Sequence, residues 1–109
     1  MKDLPESDWK LLRLMKDTLL RRASRTALDR VKGIVIGQDD DPHKIYLALW
    51  DTLKTEDSKI GRMFDNMKRS TAILNLAEMI RNELIREDEL QGFTEETKER
   101  AKEIANQVL

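Results

Sequence analysis

The chain contains no cysteine, which removes disulfides, thiolate nucleophiles and cysteine-ligated zinc from consideration. Two prolines and four glycines are too few to punctuate the many turns of an all-β fold. A single histidine leaves the usual zinc and iron ligand sets incomplete. No apolar run approaches membrane-spanning length, and Met1-Lys2-Asp3-Leu4-Pro5-Glu6 lacks the apolar stretch of a signal peptide. The expectation is a cytoplasmic protein with no membrane contact. There is no Gly-rich phosphate loop, no H-E-x-x-H and no Glu-x-x-His repeat, and the sequence calls for no cofactor.

What is present is charge and helical periodicity. Over 109 residues, 38% are charged and 39% hydrophobic, and the net charge is −1. That length predicts one domain, residues 1–109. From Asp8 to Ile36 eight Lys/Arg stand against three acids, a balance of +5; from Glu78 to Leu109 five stand against nine, a balance of −4. The first segment is therefore expected to pack beside the last, with their charges complementary at the rim.

The segment 7–36 organises the rest. Leu12, Met15, Leu19, Ala23, Ala27, Val31 and Ile34 recur every three or four residues, the spacing of one helical face. Ser7 is a candidate N-cap and Gly37 a candidate left-handed stop, which makes a helix of roughly 45 Å at 1.5 Å per residue. Asp41-Pro42 predicts a second helix, about 42–54, with Ile45, Leu49, Trp50 and Leu53 as its apolar face. Lys54-Thr55-Glu56-Asp57 interrupts the pattern before a third helix, about 56–66, although one bent helix from Pro42 to Met67 fits too. Ser70 is a candidate cap for a helix at about 70–86 that faces inward through Ile73, Leu74, Ala77, Ile80 and Leu84. After it, Glu87 to Gln91 reads as one helical turn ended by Gly92. Thr94 caps a last helix, about 95–108, whose face carries Ala101, Ile104, Ala105 and Val108. The fold class is all-α: a single helical bundle of four to five helices with a long N-terminal helix. Trp9, Tyr46, Trp50, Phe64 and Phe93 are expected as core anchors.

Four constellations could carry function. Lys68-Arg69-Ser70-Thr71 puts two cations and two hydroxyls at a helix start, where an anion would be favoured. Lys10, Arg21, Arg25 and Lys32 share a sector of the first helix suited to phosphates, but Leu14, Leu28 and Asp17 interrupt it and no aromatic is interleaved for base stacking. His43 beside Asp39, Asp40 and Asp41 has the donor chemistry for a divalent metal without the spacing of a calcium loop. Glu78, Glu83 and Glu87 form an acidic row with Arg81 and Arg86 at helical spacing, the pattern of ordinary surface pairs.

A fifth feature is an excess of apolar residues. Leu11, Leu12, Leu14, Met15, Leu19 and Leu20 spread over about two-thirds of the first helix's circumference, more than one buried face requires. A single bundle would leave Leu11 and Leu14 in water. A second chain covering Leu11, Leu14 and Trp9 in a twofold homodimer is one explanation, and a first helix surrounded by the others is the alternative.

Ser7-Asp8-Trp9-Lys10, His43-Lys44-Ile45-Tyr46-Leu47, Lys68-Arg69-Ser70-Thr71-Ala72 and Leu90-Gln91-Gly92-Phe93-Thr94-Glu95-Glu96-Thr97 follow one another in an order that resembles a family of small uncharacterised bacterial proteins. The resemblance implies a cytoplasmic bacterial protein and supplies no activity, substrate or site residue. Three functions are thus carried forward: a non-enzymatic helical interaction or regulatory protein acting as a homodimer or on another protein partner, a nucleic-acid-binding protein, and a metal-dependent enzyme or metal-binding protein.

Overall fold

The computed structural model describes residues 3–37 and 41–107. Every element among them is helical: α1 (Glu6–Val35), α2 (Pro42–Phe64), α3 (Ala72–Arg81), α4 (Glu87–Leu90) and α5 (Glu95–Ala105). The molecule measures 52 × 28 × 23 Å. Its long axis is set by α1 and α2, which run as a helical hairpin past the rest of the chain.

The interrupted pattern around 54–57 does not break the second helix, so the expected helices at 42–54 and 56–66 are one. Thr55 donates its hydroxyl to the Asp51 carbonyl one turn back instead of capping. Glu56 points inward, where Arg30 of α1 and Lys59 pair with it. Asp41 caps this helix as expected, accepting from the His43 N–H at 2.9 Å.

Other boundaries move for identifiable reasons. Ser7 lies inside the first turn of α1; the capping position belongs to Pro5, whose extended backbone (ψ 146°) stops the helix from starting earlier. Gly37 makes no left-handed cap, and no described glycine has positive φ. The left-handed positions are Asn66 (φ 55°) and Glu83 (φ 56°), which close α2 and α3. At the second of these the Glu83 N–H bonds the Ile80 carbonyl and the Leu84 N–H bonds the Met79 carbonyl, both near 3 Å. This is the double-bonded helix stop of a Schellman motif, and it ends at Arg81 the helix expected to reach residue 86. Glutamate rather than glycine occupies its left-handed position, so the stop carries no sequence signal. Ser70 is not the cap of α3 either: Thr71 takes that place, and its hydroxyl, bonded to the Asn66 carbonyl and the Lys68 N–H, tightens the α2–α3 turn. α5 begins at its predicted Thr94 cap and ends at Ala105; Val108 lies outside the described residues.

The core lies at one end. It joins Leu4, Leu12, Leu19 and Ala23 to Met63 and Phe64 of α2, to Ile73, Leu76 and Met79 of α3, and to Leu84, Ile85, Leu90, Phe93 and Ala101. Leu11 packs against this cluster, correcting the expectation that a single bundle leaves it in water. A Cβ on Gly92 would sit 2.8 Å from a Leu11 methyl, so any side chain there would push the Leu11 side chain aside where the α4–α5 turn meets α1. Two charged groups tie the N-terminal segment and the start of α1 to later parts of the chain. Asp8, buried at the start of α1, accepts from the Thr94 N–H (3.0 Å) and from the hydroxyls of Thr94 (2.7 Å) and Thr97 (2.6 Å). Arg69 donates to the Leu4 carbonyl at 2.8 Å and pairs with Glu6.

Two outcomes are expected. Asp8→Ala leaves two hydroxyls and an amide without their acceptor and should lower unfolding free energy by about 3 kcal/mol, measured by denaturant titration. Glu83→Gly should raise it by about 1 kcal/mol, because glycine occupies the left-handed region without the Cβ penalty.

Candidate interaction surface

Among the described residues from Leu28 to Ser58, Glu56 alone is buried. The distal half of the α1–α2 hairpin is an arm with no core of its own. Val31, Ile34, Ile45, Ala48 and Leu49 are half-buried along it, and large apolar side chains elsewhere on the arm stand in solvent. On α2 these are Tyr46 (55% exposed), Leu47 (53%), Trp50 (48%) and Leu53 (41%); on α1 they are Leu28, Val35 and Ile36. Tyr46 and Trp50 therefore depart from the expected core anchors, whereas Phe64 and Phe93 are buried as predicted.

The α2 residues share a face by their spacing. Positions 43, 46, 47, 50, 53, 54 and 57 fall within about 120° of arc at 100° per residue, centred on Trp50. The rings on that face are ordered against one another: His43 stacks on Tyr46 with centroids 6.1 Å apart, and Tyr46 meets Trp50 edge-on at 6.4 Å. Such contacts restrict the side chains before any partner arrives, which lowers the entropy lost on binding. Farther along α2, the same face meets a shallow depression lined by Asp57, Ser58, Gly61, Arg62, Asp65 and the half-exposed Leu74 of α3. Leu74, expected to face inward, stands at its edge.

The other candidates are dispersed or already engaged. Trp9 packs on the core with Arg13 over its ring at 5.7 Å. Leu14 is 82% exposed beside Lys10 and Arg13, and neither Leu11 nor Trp9 forms an open apolar face with it. Lys10, Arg21, Arg25 and Lys32 are exposed, as are Leu14 and Leu28 between them. Of the proposed anion site, Arg69 holds the N-terminal segment and Thr71 holds a turn, leaving Lys68 and Ser70 exposed. Asp39 and Asp40 lie outside the described residues; His43 is exposed, and no described group of three His, Asp or Glu side chains could hold a metal. Of the acidic row, Glu78 pairs with Arg81 on α3 and Glu87 with Lys102 of α5.

Where arm meets body, Arg22, Arg30, Glu56, Lys59 and Glu83 surround a cleft of about 240 Å³ floored by Ala23, Ile60, Met63 and Leu84. Its cations are paired: Arg30 and Lys59 both meet Glu56, and Arg22 meets Glu89. Arg22 donates twice to Glu89, at 2.7 and 3.0 Å, and once to the Leu84 carbonyl at 2.9 Å. This is the expected pairing of the basic first helix with the acidic end of the chain. The hydrogen bond from Arg22, aided by the Arg86 N–H and opposed by burial, holds the Glu89 carboxyl down at about 2, against an ordinary 4.5. The same bond raises the Arg22 guanidinium above its usual value.

Because Glu89 titrates lower folded than unfolded, its contribution is fully present above about pH 4.5 and disappears as pH falls toward 2. Thermal melts of wild type and Glu89→Gln should thus converge across that interval, having differed by up to about 3 kcal/mol above it. The chain matches no protein-family model, no curated protein and no solved structure, and its function has to be read from the geometry of the arm.

Proposed function

We propose that this protein is a non-enzymatic helical interaction protein whose arm docks on a helical partner through the α2 face built on Tyr46, Leu47, Trp50 and Leu53. One observation carries the reading: four large apolar side chains on one helical face are about half exposed, two of them in ring contact, on an arm with no core of its own. A contiguous apolar patch of this kind is often a site where a partner binds. The heptad-like spacing 43, 46/47, 50, 53/54, 57 suits a helix lying in register against it. Tyr and Trp at the centre, with charged residues at the margin, reproduce the layout of a binding hot spot and its rim.

Support for nucleic-acid binding is weaker. Its cations would be Lys10, Arg21, Arg25 and Lys32, between which Leu14 and Leu28 are bare, and the exposed aromatic rings lie on α2 instead. A metal-dependent activity would need Asp39 and Asp40 to join His43.

The docking reading is tested by placing a photo-crosslinking amino acid at Leu47, with a control at the exposed Glu99 of α5. In cells, position 47 should give discrete adducts and position 99 none. Adding Trp50→Glu should reduce adduct yield at least about tenfold while the melting temperature stays within a few degrees, since Trp50 is not a core residue. Absence of discrete adducts at position 47 would overturn the reading.

A further inference from the structure

We infer that the partner on this face is a second copy of the chain, bound so that the two α2 helices run antiparallel about a twofold axis at Trp50. The inference rests on the docking reading above and adds the identity and register of the occupant.

Its basis is a symmetry in the sequence of the exposed face. In an antiparallel twofold pair, a residue k positions before the axis faces the partner's residue k positions after it. With the axis at Trp50, the two Trp50 rings meet. Leu47 faces the partner's Leu53, and Tyr46 lies along the aliphatic stem and ammonium of the partner's Lys54. His43 faces the partner's Asp57, and Pro42 faces the partner's Ser58. Every exposed large apolar residue of α2 thereby acquires an apolar or cation–π contact, and the one acid in the seam acquires the one imidazole. No two like charges are opposed. A parallel pairing would instead set Asp57 against the partner's Asp57 and His43 against the partner's His43.

Shape and size agree with this occupant. Each arm is a two-helix layer lacking a second layer, and two such arms face to face complete a four-helix bundle. The partner's α2 N-terminus is directed toward the depression at Gly61, where the absence of a side chain leaves room and Leu74 stands half exposed. The four apolar side chains bare on the order of 400 Å² per copy, taking about 150–250 Å² for each fully exposed aromatic and somewhat less for leucine. Two copies with their polar rim reach about 1,000 Å², the lower bound for a specific interface. The interface differs in place from the one at Leu11, Leu14 and Trp9 that the sequence suggests, because the monomer itself takes up two of those three residues.

The natural lack of cysteine makes the register directly testable in the full chain. Light scattering at tens of micromolar should give twice the 12.8 kDa chain mass, and Trp50→Glu should return it to one. Under mild oxidation Trp50→Cys should form a covalent dimer, since its mate is itself. His43→Cys and Asp57→Cys should each fail alone, and the double variant should link two chains. Fourteen helical residues separate the two sites by about 21 Å, which forbids a bond within one chain. Asp57→Lys should weaken association about tenfold, and His43→Asp added to it should restore most of the loss. Linking of His43→Cys alone would establish parallel pairing and overturn the inference. So would a wild type that stays monomeric at 100 μM; adducts from position 47 of other masses would then leave the docking reading standing, whereas no adducts would remove both.

Discussion

The carboxylate of Asp8 ties the two ends of the fold together. It sits in the first turn of α1 and is filled by the Thr94 amide and by the hydroxyls of Thr94 and Thr97, some 86 to 89 residues later. A buried carboxylate with three donors at a helix N-terminus has no equivalent alternative elsewhere, so the start of α5 is placed against the start of α1. Leu4 and Leu12, close to Asp8 along the chain, then enter the same cluster as Phe93 and Ala101. The Gly92 turn lies against Leu11 in the same arrangement.

This anchoring uses the first half of α1, and the second half is left to project. The segment from Leu84 to Thr97 meets α1 between Asp8 and Arg22, where Arg22 closes the assembly through Glu89, and α5 lies on α3. Beyond Ala27 α1 has α2 beside it, and α2 in turn has α3 over its C-terminal part only. An elongated molecule follows, with a body that is fully packed and an arm whose helices cover each other on one side. The Arg30–Glu56–Lys59 cluster at the junction puts a buried carboxylate between two cations where apolar packing thins out.

Local chemistry marked some features plainly. Asp41-Pro42 and Thr94 with Glu95 and Glu96 announced two helix starts, and both are where spacing and capping put them. Other boundaries were silent for physical reasons. Glu83 in a left-handed stop is held by tertiary contacts around Leu84, against its own preference, so the end of α3 cannot be read from residue type. Thr55 and Asp57 resemble caps but lie in mid-helix, with the Thr55 hydroxyl satisfied one turn back. The candidate surface was legible only in part: of the expected face Ile45, Leu49, Trp50 and Leu53, the first two are half-buried against α1 and the last two stand exposed beside Tyr46 and Leu47, and nothing local separates a face that will be covered from one that will not.

Periodicity alone determined that the chain is all-α, that α1 is long, and that it carries more apolar surface than one packing layer needs. Helical spacing is a short-range property, written in side chains three and four apart. Which part of the surplus is consumed and which remains was decided by tertiary structure. Leu11 packs into the body against the Gly92 turn and Leu14 stays bare, while α3 ends its cover of α2 before Leu53, so the exposed apolar residues that share one helical face are Tyr46, Leu47, Trp50 and Leu53 and not Trp9, Leu11 and Leu14. That outcome depends on contacts between residues tens of positions apart, which no window of sequence contains.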